Sequence, residues 1–84
     1  MFKITATGGQ EARTVVYFGY PFVVPNGWDF IATDENGEVF CYRGKPVVSD
    51  DSGRWKVGSL INRYILLAHV KFEGDWKDSL MEIE

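Results

Sequence analysis

Hydrophobic and polar positions alternate over much of the chain. Phe2, Ile4 and Ala6 alternate with Lys3, Thr5 and Thr7, the pattern of a strand with one buried face. Gly8-Gly9-Gln10 breaks that run, and the following segment, Arg13 to Phe18, is rich in β-branched and aromatic residues. Together they predict a first hairpin. The stretch Tyr20 to Gly27 carries Pro21 and Pro25, so it is expected as an extended connection or an edge segment rather than a central strand.

The clearest prediction concerns Phe30 to Tyr42. A three-residue loop Glu35-Asn36-Gly37, with Asp34 opening a type I turn and Gly37 in the left-handed bulge position, sets Asp34 opposite Glu38. Ala32 then faces Phe40 and Phe30 faces Tyr42 on one side, while Thr33 faces Val39 and Ile31 faces Cys41 on the other. A two-residue Asn36-Gly37 loop would set Phe30 against Arg43 and mix the faces. Asp34, Glu35 and Asn36 are therefore expected as turn formers, and the spaced ligands of a calcium loop are missing. Trp28, Phe30, Phe40 and Tyr42 are expected on one face as the centre of the core, since such side chains bury roughly 150–250 Å² each, the alternative being a platform on which unpaired bases stack.

Downstream, Asp50-Asp51-Ser52-Gly53 reads as a polar turn before a short strand, Arg54 to Val57. A strand is expected over Arg63 to Phe72, with a helical turn before it and Tyr64, Leu66, Ala68, Val70 and Phe72 on one apolar face. Near the end, Asp75 is a candidate N-cap for one helical turn that presses Trp76 against the sheet. The sum is a single mainly β domain over residues 1–84, made of antiparallel hairpins in a barrel-like arrangement with a short C-terminal helical turn.

At 84 residues such a domain has room for one core, and 45% apolar composition argues against disorder. No run approaches the ~18 apolar residues of a membrane span, and Met1 to Gly9 lacks the apolar stretch of a signal peptide. Cys41 is the single cysteine, which fits a reducing compartment. The expectation is a cytoplasmic protein without membrane contact. Formal charge is uneven: −3 over residues 1–42, +4 over 43–72 and −4 over 73–84. That is too mild for a general DNA-backbone binder.

Catalytic chemistry is almost absent from the pattern. His69 is the single histidine, so no usual zinc site forms, and no cofactor is expected. Ser49, Ser52, Ser59 and Ser79 show no nucleophile-elbow pattern, and no phosphate-binding glycine loop occurs. Cys41, between Phe40 and Tyr42, reads as a small buried hydrophobe.

The order Pro25-x-x-Trp28, then Ile31-Ala32-x-Asp34-x-Asn36-Gly37-x-Val39-x-x-Tyr42-x-x-Lys45-Pro46, then Trp55, then Gly74-x-Trp76-Lys77-Asp78-Ser79-Leu80 resembles a broad set of small proteins encoded by tailed bacteriophages and prophages. The resemblance runs from Pro25 to Leu80. It implies a bacterial cytoplasm during infection or lysogeny and a product accessory to the virion, with no established activity and no catalytic residue to carry over.

Two classes of function follow, both without catalysis. One is a protein-interaction module modulating an unknown host or phage protein, with Asp75, Trp76, Asp78 and Glu82 of the acidic segment and the open sheet edges as contacts. The other is a nucleic-acid binder using Arg43, Lys45, Arg54, Lys56 and Arg63 with Trp55 as the stacking aromatic. An exposed edge would serve a homodimer equally well.

Overall fold

A computed structural model describes residues 12–58 and 64–83. The expected strand over Phe2 to Ala6, its Gly8-Gly9 turn, the helical turn before Arg63, and Arg63 itself lie outside the described residues. Among the described residues there are eight strands: β1 (Ala12–Tyr17), β2 (Tyr20–Pro25), β3 (Phe30–Thr33), β4 (Glu38–Tyr42), β5 (Val47–Ser49), β6 (Arg54–Lys56), β7 (Tyr64–His69) and β8 (Met81–Glu82). A 3-10 turn, Trp76–Asp78, precedes β8. The protein is mainly β, as the alternation predicts.

The β3–β4 hairpin has the predicted register: Phe30↔Tyr42, Ile31↔Cys41, Ala32↔Phe40 and Thr33↔Val39. Asp34 N–H donates to the Glu38 carbonyl at 2.9 Å, and Gly37 N–H donates to the Asp34 carbonyl at 2.9 Å. Gly37 takes φ +93°, the left-handed position the loop requires.

This hairpin is the centre of a four-stranded sheet ordered β7-β4-β3-β8, and among the described residues the sheets do not close, so the barrel-like arrangement expected from the sequence is not seen there. Both faces of the hairpin are covered instead. Ile31, Val39 and Cys41 pack against Val15, Tyr17 and Val24 of the β1–β2 hairpin. Ala32 and Tyr42 pack against Trp55, with Phe30, Phe40, Val48, Trp76 and Leu80 around them, so β5, β6 and the 3-10 turn cover the second face. A chain this short buries two sheet faces by spending a hairpin on each.

Three expectations need correction. The described partner of Arg13 to Tyr17 is β2, joined through the two-residue loop Phe18-Gly19, so of the two expectations for Tyr20 to Pro25 the connection gives way to a paired strand, while the edge segment holds. Its prolines still obey edge logic. In this register Tyr17↔Tyr20 is the hydrogen-bonded pair next to the loop, so positions 21, 23 and 25 point their N–H groups outward. Two of those three are proline and have no N–H to offer a further strand.

Trp28 is the second correction. It packs with Ile31, Val39 and Cys41, on the face opposite Phe40 and Tyr42. The two-residue period holds only inside a strand, and β3 begins at Phe30, after a turn in which Gly27 takes φ +92°.

The third is β7. Val39 pairs with Ala68 and Phe40 with Leu66, leaving Leu67 as an extra residue in a bulge. Alternation is therefore broken at Leu67. Tyr64 meets the Phe40 ring at 5.5 Å on the aromatic face, while Leu67, Ala68 and Val70 pack on the opposite side. The single apolar face expected from Tyr64 to Phe72 does not exist.

Asp75 caps the 3-10 turn as predicted, its Oδ1 accepting the Lys77 N–H at 3.0 Å. Trp76 lies edge-on to Trp55 with ring centroids 6.2 Å apart. The residue after the turn, Ser79, is fully buried. Its Oγ accepts the Thr33 N–H at 2.9 Å and donates to the Thr33 carbonyl at 3.1 Å, while its own carbonyl accepts from Tyr17 Oη at 2.9 Å. Because β8 reaches only Phe30 and Ile31, the Ser79 side chain supplies Thr33 with the partners a longer strand would have given.

Candidate interaction surface

β7 is the outer strand of the central sheet, and among the described residues no strand pairs with its free side. Its sequence, Tyr-Ile-Leu-Leu-Ala-His, contains no proline and no charged residue to discourage pairing. Tyr64, Ile65 and Leu66 are 60%, 38% and 52% exposed. The opposite edge, β8, has only two residues. Of the six-residue strands, β2 is blunted by proline, β1 carries the charged Arg13, and β7 has neither on its open side.

Beside this edge lies a concavity of 280 Å³ between β4, β6 and β7, lined by Phe40, Tyr42, Tyr64, Arg54, Lys56 and Asp34. Asp34 is 3% exposed, and its Oδ1 accepts the Trp55 backbone N–H at 2.9 Å. Burial pushes its carboxyl above the ordinary value of 3.8, and this outweighs the Trp55 N–H and the Arg54 guanidinium, which pull it down. Burial, reinforced by the Asp34 charge, also raises the Tyr42 hydroxyl.

The Asp34 shift has a stability consequence. A carboxyl whose folded pKa is raised favours the fold when protonated, and that contribution disappears as pH rises through the folded value. Lowering pH from neutral towards about 4 is therefore expected to strengthen Asp34's contribution. Asp34→Asn keeps an acceptor for the Trp55 N–H and should flatten this part of the profile. Thermal melts of both proteins across that range check it; an unchanged slope in the variant would contradict the assignment.

Of the residues expected to bind nucleic acid, Arg54, Trp55 and Lys56 line this concavity, while Arg43 and Lys45 lie outside it. Arg54 and Lys56 are exposed on β6 and reach the concavity, but Trp55 between them is 8% exposed and its indole N–H donates to the Thr33 carbonyl at 3.0 Å. It is a core residue of which only a small part reaches the concavity. Arg43 lies over the Trp28 ring at 4.8 Å, within the other layer. Lys45 is exposed and its neighbour Pro46 is fully buried.

The acidic candidates divide similarly. Asp75, Trp76 and Asp78 share the 3-10 turn, with both carboxylates exposed and Trp76 half-buried. Glu82 lies opposite Phe30, at the far end of β3 from the Thr33–Ser79 bonds. Asp75 and Trp76 have structural work as cap and packing partner. Asp78 and Glu82 are free for contact.

Among the described residues no group of three or more His, Cys, Asp or Glu could hold a metal ion. Cys41 is buried, and burial raises its pKa and keeps it a thiol. Among those residues no helix is long and apolar enough to cross a membrane. No family model, curated protein or solved structure matches this chain.

The apolar edge was missed at the sequence level, although a signal existed. Proline marks β2 as a protected edge, and its absence from β7, together with the absence of charge, marks the edge that is not protected.

Proposed function

We propose that this is a non-catalytic protein-interaction module that accepts an extended segment of a partner along the free side of β7. One observation carries the proposal: an outer strand with unprotected main-chain groups and three large apolar side chains in water. Proteins generally guard such an edge, so leaving it open fits use by a partner, with main-chain hydrogen bonds giving affinity and side-chain contacts giving specificity. Asp78 and Glu82 add exposed negative charge for steering.

The biological setting proposed is that of an accessory phage or prophage protein acting on a host or phage factor in the bacterial cytoplasm. The residues behind that resemblance are mostly architectural here: Asp34, Gly37, Trp55, Asp75 and Ser79 build turns, caps and core. They support a shared scaffold, with the partner chosen by residues outside the motif.

Affinity capture of the tagged protein from bacterial lysate, with and without nuclease, tests this reading when run beside Leu66→Lys. The substituted side chain is half exposed, so stability should change by no more than about 0.5 kcal/mol while the lysine guards the edge. A stoichiometric protein retained after nuclease and lost with Leu66→Lys is expected. A nucleic acid recovered instead would move the function to Arg54 and Lys56, the specific observation favouring that second reading being their position around an aromatic concavity. A second copy of this chain would make the edge a homodimer interface.

A further inference from the structure

The chain holds two Asn-Gly pairs, Asn26-Gly27 and Asn36-Gly37, each in a turn with its glycine at positive φ, +92° and +93°. The dipeptide carries a chemical liability: the glycine amide nitrogen, unshielded by a side chain, can attack the side-chain carbonyl carbon of the asparagine before it. Sequence presents the two pairs alike. The fold separates them.

Asn36 is held against the reaction. Its Oδ1 accepts the Glu38 N–H at 3.0 Å and its Nδ2 donates to Glu38 Oε1 at 3.1 Å, so both ends of the carboxamide are fixed. The nitrogen that would attack is fixed as well, since the Gly37 N–H donates to the Asp34 carbonyl at 2.9 Å. Gly37 is buried, and its carbonyl accepts the Val70 N–H at 2.8 Å. Ring closure between Gly37 N and Asn36 Cγ removes that N–H and turns the carboxamide, so it must wait for the turn to open.

Asn26 and Gly27 are both exposed, and a Cβ built at Gly27 would meet nothing within 4 Å. Among the described residues no group accepts the Gly27 N–H. Arg13 Nη1 donates to Asn26 Oδ1 at 3.1 Å. A guanidinium on that oxygen draws electrons from Cγ and meets the negative charge that develops there as the nitrogen attacks.

We infer that Asn26 is a site of spontaneous modification, converted to aspartate and isoaspartate in the folded protein, while Asn36 persists. The Gly27 amide loses its proton to hydroxide and its nitrogen bonds to Asn26 Cγ. The Cγ–Nδ2 bond breaks, and ammonia leaves with a proton taken from water, which restores the hydroxide. Water then opens the cyclic imide: cleavage at Cγ gives aspartate, and cleavage at the main-chain carbonyl of residue 26 gives isoaspartate, in which the chain runs through the former side chain. Either product places a carboxylate beside the Arg13 guanidinium, whose Nη2 also donates to the Trp28 carbonyl at 3.0 Å. With age, and without an enzyme, the chain gains one negative charge in the turn that joins β2 to β3.

Ageing the full chain at mildly alkaline pH in heavy-oxygen water, followed by peptide mapping by mass spectrometry, tests this. The expected result is oxygen-labelled aspartate and isoaspartate forming at residue 26 at least about tenfold faster than at residue 36, with a rate that rises with hydroxide. In guanidinium chloride the two sites should react within about threefold of each other, because only local sequence then separates them. Equal rates in the folded chain, a faster reaction at Asn36, or a preference for Asn26 that survives unfolding unchanged would overturn the inference. None of these outcomes bears on the β7 edge, which Leu66→Lys tests separately.

Discussion

Gly37→Ala is expected to destabilise the domain by about 3 kcal/mol or more, combining left-handed backbone strain with a steric overlap. At φ +93° an L-residue is disfavoured, and a Cβ built there would collide with the Val70 carbonyl oxygen. That oxygen cannot simply retreat, since it belongs to the chain segment whose Val70 N–H donates to the Gly37 carbonyl at 2.8 Å. The turn and the segment that follows β7 approach each other most closely at this glycine. For a domain of this size the melting temperature should fall by more than about 12 °C. Denaturant unfolding followed by circular dichroism measures it, and a loss below about 1 kcal/mol would mean that the close approach is not maintained in solution.

Trp55→Ala is expected to cost about 3–5 kcal/mol, the range for removing a large buried aromatic. The indole is 8% exposed, fills the layer between Tyr42 and Trp76, and donates to the Thr33 carbonyl. Trp55→Phe separates the two contributions. It keeps a ring, and the Thr33 carbonyl still accepts from Ser79 Oγ, so the loss should be only about 1–2 kcal/mol. The difference between the two variants in urea unfolding is the check. A near-neutral alanine variant would be expected of an exposed stacking residue and would restore Trp55 to the nucleic-acid reading.

What could be read from the sequence followed from how local its causes were. The β3–β4 register depends on one turn and on two short alternating arms, all within Phe30 to Tyr42, and it was legible residue by residue. The Asp75 cap was equally local. Trp28 and β7 were not, because their side-chain directions depend on a turn at Gly27 and a bulge at Leu67 that alternation alone does not reveal. The roles of Asp34 and Ser79 joined residues 21 and 46 positions apart, to Trp55 and Thr33, and no pattern along the chain encodes those bonds. Sequence also suggested polar and acidic contact residues, whereas the structure draws attention to apolar ones. Tyr64, Ile65 and Leu66 look like ordinary core positions until the sheet order leaves them outermost.

Backbone amide exchange across Tyr64–His69, measured on the free protein and on its complex with the captured partner, tests the central claim most directly. The account predicts that outward-facing amides of β7 exchange readily when free and become protected at least about tenfold in the complex, with Leu66→Lys preventing the change. Protection confined to Arg54, Lys56 and their neighbours, with β7 unaltered, would contradict it.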